Sequence, residues 1–386
     1  MEKTTYIPQK HLENLKNLVQ PNKVIVIYGP RRCGKTTLLK KFLDATHPPP
    51  GVKEKYLYVN GEDIFVQEQL NSQSIIKLKN FVGDYKFLAI DEAQRIPNIG
   101  LNLKLIVDNI EDIKVIATGS ASFDLYQKLG EPLTGRKITL KLFPLAQLEL
   151  VKIEKPYETK ANLEARLIFG SYPEVILAKD DQEKITYLRE LASSYLCKDI
   201  LEMNGLKHSD KLIKILQLLA FQIGSEVSHS EIAAQVGINK KTVEKYLDLL
   251  EKVFVIFKIR GFSRNLRKEV SKSPKYYFYD LGVRNVLINN FNPINLRNDV
   301  GMLWENYIIS ERIKKQEYTG LQANNYFWRT YDKKEIDFVE ERGGKLYGYE
   351  IKWEPKQVSP PKDWEETYPH SEFLVVSQDN YLEFIG

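Results

Sequence analysis

The chain has 386 residues, 43% of them hydrophobic and 28% charged, and a formal net charge of +5. That is the composition of an ordinary soluble globular protein, long enough for about two to four domains with buried cores. It excludes a membrane-spanning chain, since no apolar run approaches the ~18 residues a span needs. It also excludes a disulfide framework or cysteine metal cluster, because Cys33 and Cys197 are the only two cysteines. The start, MEKTTYIPQKHLENLKNLV, lacks the apolar block of a signal peptide, so a cytoplasmic location is the expectation. The mild positive charge permits nucleic-acid binding without arguing for it, and its distribution matters more than its size.

Taken in chain order, the first strong signal is KVIVIYGPRRCGKTTLLKKFL. Lys23 to Tyr28 is a β-branched run and predicts a buried strand. Gly29, Pro30, Arg31, Arg32, Cys33, Gly34, Lys35 and Thr36 then match G-x-x-x-x-G-K-T, and Thr37 onward continues as a helix. Strand, glycine loop and helix N-terminus in that order form a phosphate cradle, in which backbone N–H groups and the helix dipole face phosphate oxygens. Gly29 through Thr37 are therefore the candidate nucleotide contacts. Lys35 is expected on the β- and γ-phosphates of ATP and Thr36 on Mg²⁺. A chance match in a glycine turn would lack the two correct flanks.

KFLAIDEAQ supplies the acids such a site needs. Phe87 to Ile90 predicts a buried strand that ends in Asp91, a candidate Mg²⁺ partner, and Glu92, a candidate general base for water. IKVIATGSAS predicts another buried strand, whose Thr118 or Ser120 is placed to meet the γ-phosphate or the attacking water. A helix N-cap is the competing role for that segment. In GEPLTGRKITLKLFPL, Arg136 is a candidate arginine finger, from this subunit or, in a homo-oligomer, from a neighbour; a surface salt bridge is the alternative. Alternating strands and helices over residues 1–150 argue a parallel α/β sheet with the ligand at the strands' carboxyl ends.

Residues 151–205 carry apolar positions at helical spacing, Leu163, Leu167, Ile168, Leu188 and Leu191 among them, around a Gly-Pro turn in FGSYPEV. This predicts a helical lid, with Pro173 as a candidate contact to base or sugar. Residues 206–290 read as a winged helix-turn-helix: Gly237 breaks one short helix and Asn239 caps the next, followed by two strands. The second helix opens with Lys240 and Lys241, then Lys245, and the loop between the strands carries Arg264, Arg267 and Lys268. These basic residues are candidate DNA contacts, against the alternative of a solvated face on a module used for protein packing.

Residues 291–386 contain EIDFVEERGGKLYGYEIKW. If Gly343-Gly344 is a two-residue hairpin loop, opposing residues have numbers that sum to 687, which sets Asp337 opposite Glu350. Like charges in that position repel. A divalent cation between them would relieve the repulsion, with Lys352 on the same face beside it and Glu305 on an upstream helix as a further acid. This acid, D, (D/E)-x-K layout is that of PD-(D/E)XK nucleases; a solvated acidic face with a Glu335–Lys352 ion pair is the bland alternative.

The landmarks YGPRRCGKTTLL, LAIDEAQ, TGSAS, LTGRK, FGSYPEV, YLCKDIL, KYYFYDLGVRN, LWENYIISE and EIDFV with YEIKW resemble, in this order, those of bacterial and archaeal AAA-type ATPases that carry a C-terminal winged-helix and PD-(D/E)XK nuclease-like half. The resemblance implies an AAA-type core with ATP and Mg²⁺, hydrolytic roles for Lys35, Thr36, Asp91 and Glu92, and an arginine contact at Arg136. The expected fold is α/β: a P-loop NTPase parallel sheet with a helical lid, then a winged helix, then an α/β nuclease-like domain. The expected function is a Mg²⁺-dependent ATPase acting on DNA. The alternative is a nucleotide-operated signalling or scaffold switch whose C-terminal half binds a protein.

Overall fold

The computed structural model describes residues 6–46, 56–120, 133–193, 209–264 and 273–386. The chain divides into two compact units, one built from Pro8–Pro144 with Lys252–Phe254, the other from Leu145–Glu251, Val255–Gly386 and the start of the chain.

In the first unit, strands β1 (Lys23–Gly29), β2 (Leu57–Asn60), β3 (Phe87–Asp91), β4 (Lys114–Ser120) and β5 (Lys137–Lys141) form one sheet in the order β2-β3-β4-β1-β5. Every neighbouring pair is parallel. The sequence accounts for this. All five residues of β3 are buried, as are Val24 to Ile27 of β1, so both sheet faces must be covered. Val24, Val26, Leu88, Ile90, Val115 and Ala117 pack with Leu103, Ile106 and Val107 of the helix Ile99–Asn109. The register sets Gly29 beside Ser120 and Asn60 beside Asp91, so the P-loop, the acidic pair and Ser120 share the carboxyl edge.

Arg136 lies at the other edge. Its carbonyl accepts from Val24 N at 2.9 Å, at the start of β1. The seven residues of β1, at about 3.3 Å each, separate it by about 20 Å from the P-loop of its own chain. Its guanidinium pairs with Asp108 at 2.5 Å. The expected finger within one subunit is thus corrected to the surface ion pair.

In the second unit, the helices Ser209–Phe221, His229–Val236 and Lys240–Lys252 lead into the antiparallel pair β6 (Ile256–Gly261) and β7 (Lys275–Phe278). Gly237 at φ 71° makes the turn between the second and third helices. Strands β8 (Asn324–Arg329), β9 (Glu335–Arg342), β10 (Lys345–Ile351) and β11 (Glu372–Val376) complete a mixed sheet, in the order β11-β10-β9-β8-β6-β7. The hairpin β6–β7 therefore continues the C-terminal sheet, through the parallel pairs Arg260–Tyr326 and Gly261–Phe327.

The helical stretch after residue 150 is stitched to the segment behind β7. Asp280 accepts from Ser171 N at 2.7 Å, and Asn285 Nδ2 donates to the carbonyls of Leu167 and Ile168 at 2.9 and 2.8 Å. A Cβ on Gly282 would lie 2.1 Å from the Phe169 carbonyl oxygen, which requires glycine there. FGSYPEV and KYYFYDLGVRN are thus two halves of one packing contact. Gln147 extends it: its Oε1 accepts from Arg166 at 2.6 Å and from the Tyr307 hydroxyl at 2.7 Å on the helix Val300–Thr319.

Candidate functional site

The P-loop turns sharply because its residues permit it. Gly34 sits at φ 99° and Arg32 at φ 59°, and a Cβ on Gly29 would lie 1.9 Å from the Leu142 carbonyl oxygen. The Cys33 side chain is fully buried and its carbonyl accepts from Gln9 Nε2 at 3.0 Å, so this cysteine packs the back of the loop. Lys35, 5% exposed, donates to the carbonyls of Gly29 and Pro30 at 3.1 and 2.7 Å, which folds its ammonium over the loop's mouth.

Asp91 gathers the neighbouring strands. Its Oδ2 accepts from Thr36 at 2.8 Å and from the Tyr58 hydroxyl of β2 at 3.2 Å, and its Oδ1 accepts from Thr118 of β4. Burial, reinforced by Asp91 and Glu92, pushes the Tyr58 phenol up to about 12, so it stays a donor to the carboxylate. Glu92 adopts φ 50°, a left-handed conformation that a non-glycine residue adopts at a cost. Its amide donates to Thr118 Oγ1 at 3.3 Å, and its carboxylate accepts from Gln94, which also donates to Ser120 at 2.9 Å. Gln94 therefore ties the candidate base to the candidate γ-phosphate contact. The helix that would compete for Ser120 falls outside the described residues. Gln94 and Tyr58 went unnoticed in the sequence; the only trace of Gln94 was its place two residues after Glu92.

Mg²⁺ passes the test of fit here. A threonine hydroxyl and a carboxylate lie 2.8 Å apart at the P-loop mouth, oxygen donors of the kind that would hold Mg²⁺ together with phosphate and water. Pro173 opens the short helix Pro173–Leu177 of the second unit.

Lys240, Lys241 and Lys245 are exposed and, with Asn239 and Thr242, line a surface depression at the start of the helix Lys240–Lys252. Lys240 also pairs with Glu244 at 3.6 Å. Arg264 is exposed, with its guanidinium 5.5 Å from the centre of the Tyr368 ring. Arg267 and Lys268 lie outside the described residues.

The C-terminal hairpin has the expected register, Lys345 beside Arg342 through Tyr349 beside Phe338. Gly343 and Gly344 at φ 57° and 77° make the tight turn. The ladder ends short of the acidic pair, where Asp337 Oδ2 instead accepts from Ile351 N at 2.8 Å. Glu305, Asp337, Glu350 and Lys352 do converge. Lys352 lies 2.6 Å from Glu350 and 3.7 Å from Asp337. A second lysine, missed in the sequence, completes the group: Lys275 of β7, with its side chain 2% exposed, reaches Glu305 at 3.4 Å and also pairs with Glu335. Burial pushes the Glu305 carboxyl up to about 7, against the pull of Lys275 and the Tyr277 hydroxyl. Among the described residues, no group of three His, Cys, Asp or Glu side chains is arranged to hold a metal ion. Glu305, Asp337 and Glu350, the expected metal ligands, are ion-paired in this structure with Lys275 and Lys352.

Sheet order, P-loop and acidic strand end define the class, an AAA-type ATPase domain, and residues 21–151 match the family described as AAA domain. Residues 160–293 and 300–384 match two domains of unknown function, DUF8612 and DUF4143. An uncharacterized protein of Haemophilus influenzae is 25% identical over all of this chain and 94% of its own length. An uncharacterized protein of Methanocaldococcus jannaschii is also 25% identical, over 83% of this chain and 72% of its own. Among solved structures, the Walker-type ATPase of Pyrococcus abyssi is similar at 18% identity and a TM-score of 0.47, over 72% of this chain and 93% of that one. No helix among the described residues is long and apolar enough to cross a membrane.

Proposed function

We propose that this chain is a Mg²⁺-dependent ATPase that contacts DNA through a winged helix over 206–290 and carries a nuclease-derived C-terminal domain. The observation that carries the hydrolytic reading is the convergence of Lys35, Thr36, Asp91, Glu92 and Ser120 at one sheet edge. Gly29 through Thr37 cradle the phosphates, and Lys35 leaves the two carbonyls it now caps to meet the β- and γ-oxygens. Thr36 and Asp91 hold Mg²⁺, which neutralises charge on the phosphates when bound. Glu92 takes a proton from the attacking water, and Ser120 holds that water or the γ-phosphate. An Arg136 contact operates only in an oligomer, with the arginine reaching a neighbour's nucleotide.

The DNA reading is supported by the depression that Asn239, Lys240, Lys241, Thr242 and Lys245 line at a helix start. Ammonium groups there meet phosphates, and Arg264 is a further candidate contact, with Arg267 and Lys268 of the same segment outside the described residues. The C-terminal reading is supported by the meeting of Glu305, Asp337, Glu350 and Lys352. The test is ATP turnover with and without duplex DNA, for the wild type and the Lys240→Glu/Lys241→Glu variant. Stimulation by DNA that the variant loses supports the proposal. Turnover indifferent to DNA, with no DNA bound, favours the switch that binds a protein partner.

A further inference from the structure

The C-terminal acids sit where a nuclease of this layout would hold a divalent ion, yet their surroundings do not fit one. Each carboxylate already has a cation. Glu305 and Glu335 share the Lys275 ammonium, Asp337 and Glu350 share that of Lys352, and Arg329 stands 3.7 Å from Glu335. Lys275 is no surface residue that drifted inward. Its backbone is fixed by the β6–β7 ladder, where it pairs with Ile259, and its ammonium lies 5.2 Å from the centre of the buried Phe327 ring. The Tyr277 hydroxyl, two residues along the same strand face, donates to Glu305 at 2.7 Å. Strand β7 thus delivers both a charge and a hydrogen bond to the acids.

An ammonium in this position supplies the positive charge that a metal would supply, and it does so without open coordination positions. A divalent ion would meet it as a like charge in a poorly solvated site. It would also have to strip the acids of partners they already hold, for oxygen ligation that needs free lone pairs. Four carboxylates facing three cations, of which Lys275 is buried, leave little charge for a metal to neutralise.

We infer that Lys275 stands in for the metal ion of a nuclease centre, so that the C-terminal domain folds and holds its acids without a divalent cation and does not cleave DNA by metal chemistry. The inference refines the nuclease-derived reading of this domain and is independent of ATP hydrolysis. It also explains why β7 belongs to the same sheet as β9 and β10: the strand carries the counter-ion.

The experiment is Mn²⁺ binding to the full chain without nucleotide, by titration calorimetry, with thermal unfolding in parallel. The wild type is expected to take up no Mn²⁺ that depends on Asp337 and to unfold at the same temperature in EDTA. Lys275→Met removes the charge but keeps the length. It should unfold at a lower temperature in EDTA, gain Mn²⁺ affinity of about tenfold or more, and recover thermal stability when Mn²⁺ is added. Adding Asp337→Asn should abolish the gain. Lys275→Arg keeps the charge and should bind no Mn²⁺. Wild-type Mn²⁺ binding that Asp337→Asn removes would overturn the inference. So would a folded Lys275→Met, with normal ATP turnover, that gains no metal affinity. If Lys275→Met fails to fold in EDTA, rescue by Mn²⁺ supports the inference, and no rescue together with Mn²⁺ uptake by Lys275→Arg overturns it.

Discussion

Glu92 is held in a strained left-handed conformation, with Gln94 on its carboxylate and Thr118 on its amide. Such strain persists only where the surroundings enforce it. Glu92→Gln should therefore retain ATP while hydrolysis slows about 10²-fold or more, the loss expected for a general base; equal turnover would remove Glu92 from the mechanism. Lys35→Ala should abolish turnover and weaken nucleotide binding, because the ammonium that lies on the Gly29 and Pro30 carbonyls is the proposed contact to the β- and γ-phosphates. Retained nucleotide affinity in that variant would show that the backbone cradle binds alone. At this scale the sequence was legible where chemistry is contiguous, as from Gly29 to Thr36. It was opaque where partners come from other strands. Tyr58 lies 33 residues from Asp91 and Lys275 30 from Glu305, and nothing local marks either as a site residue.

At the scale of elements, the landmarks on either side of the helix-turn-helix are explained by packing. Asn285 is buried, spends its amide on two carbonyls, and accepts from Arg284 and Arg297 at 3.0 and 3.1 Å. Asn285→Ala strands two buried carbonyls and should cost about 2–4 kcal/mol, read as a lower denaturant midpoint with an unchanged slope. His229 offers a second check. It faces Glu244 at 3.5 Å and the Tyr276 hydroxyl at 3.0 Å, with Lys240 and Lys258 close by. Burial is the largest influence and holds its pKa below the usual value, opposed by Glu244 and assisted by the two lysines. The unfolded chain then binds more protons than the folded one between the two pKa values, so stability falls as pH drops from about 6.5 toward the folded value. His229→Gln should flatten that part of the melting-temperature profile; an unchanged profile would assign the slope to another group. The hairpin register was legible because a Gly-Gly turn fixes pairing, and the amphipathic helices because burial follows spacing. The joining of β6 to β8 was not, since parallel pairing across some 65 residues leaves no local period to read.

At the scale of the whole molecule, the candidate ATP site and the three exposed lysines belong to different compact units. Their functions are therefore separable by mutation. Lys240 and Lys241 open their helix and Lys245 follows one turn on, so one phosphate each is the natural contact on a duplex. The Glu244 partner of Lys240 is no obstacle, since an exposed pair of this spacing contributes only about 0.3–0.5 kcal/mol. Each lost contact lowers the slope of log affinity against log salt by about 0.9 on B-form DNA. The triple variant Lys240→Ala/Lys241→Ala/Lys245→Ala should thus lose about two to three units of slope, while its ATP turnover without DNA stays at the wild-type level. A slope unchanged in the variant would move DNA contact elsewhere on the chain. Turnover lost without DNA would mean instead that this helix serves the ATPase directly, and the two-part proposal would have to be rebuilt around that coupling.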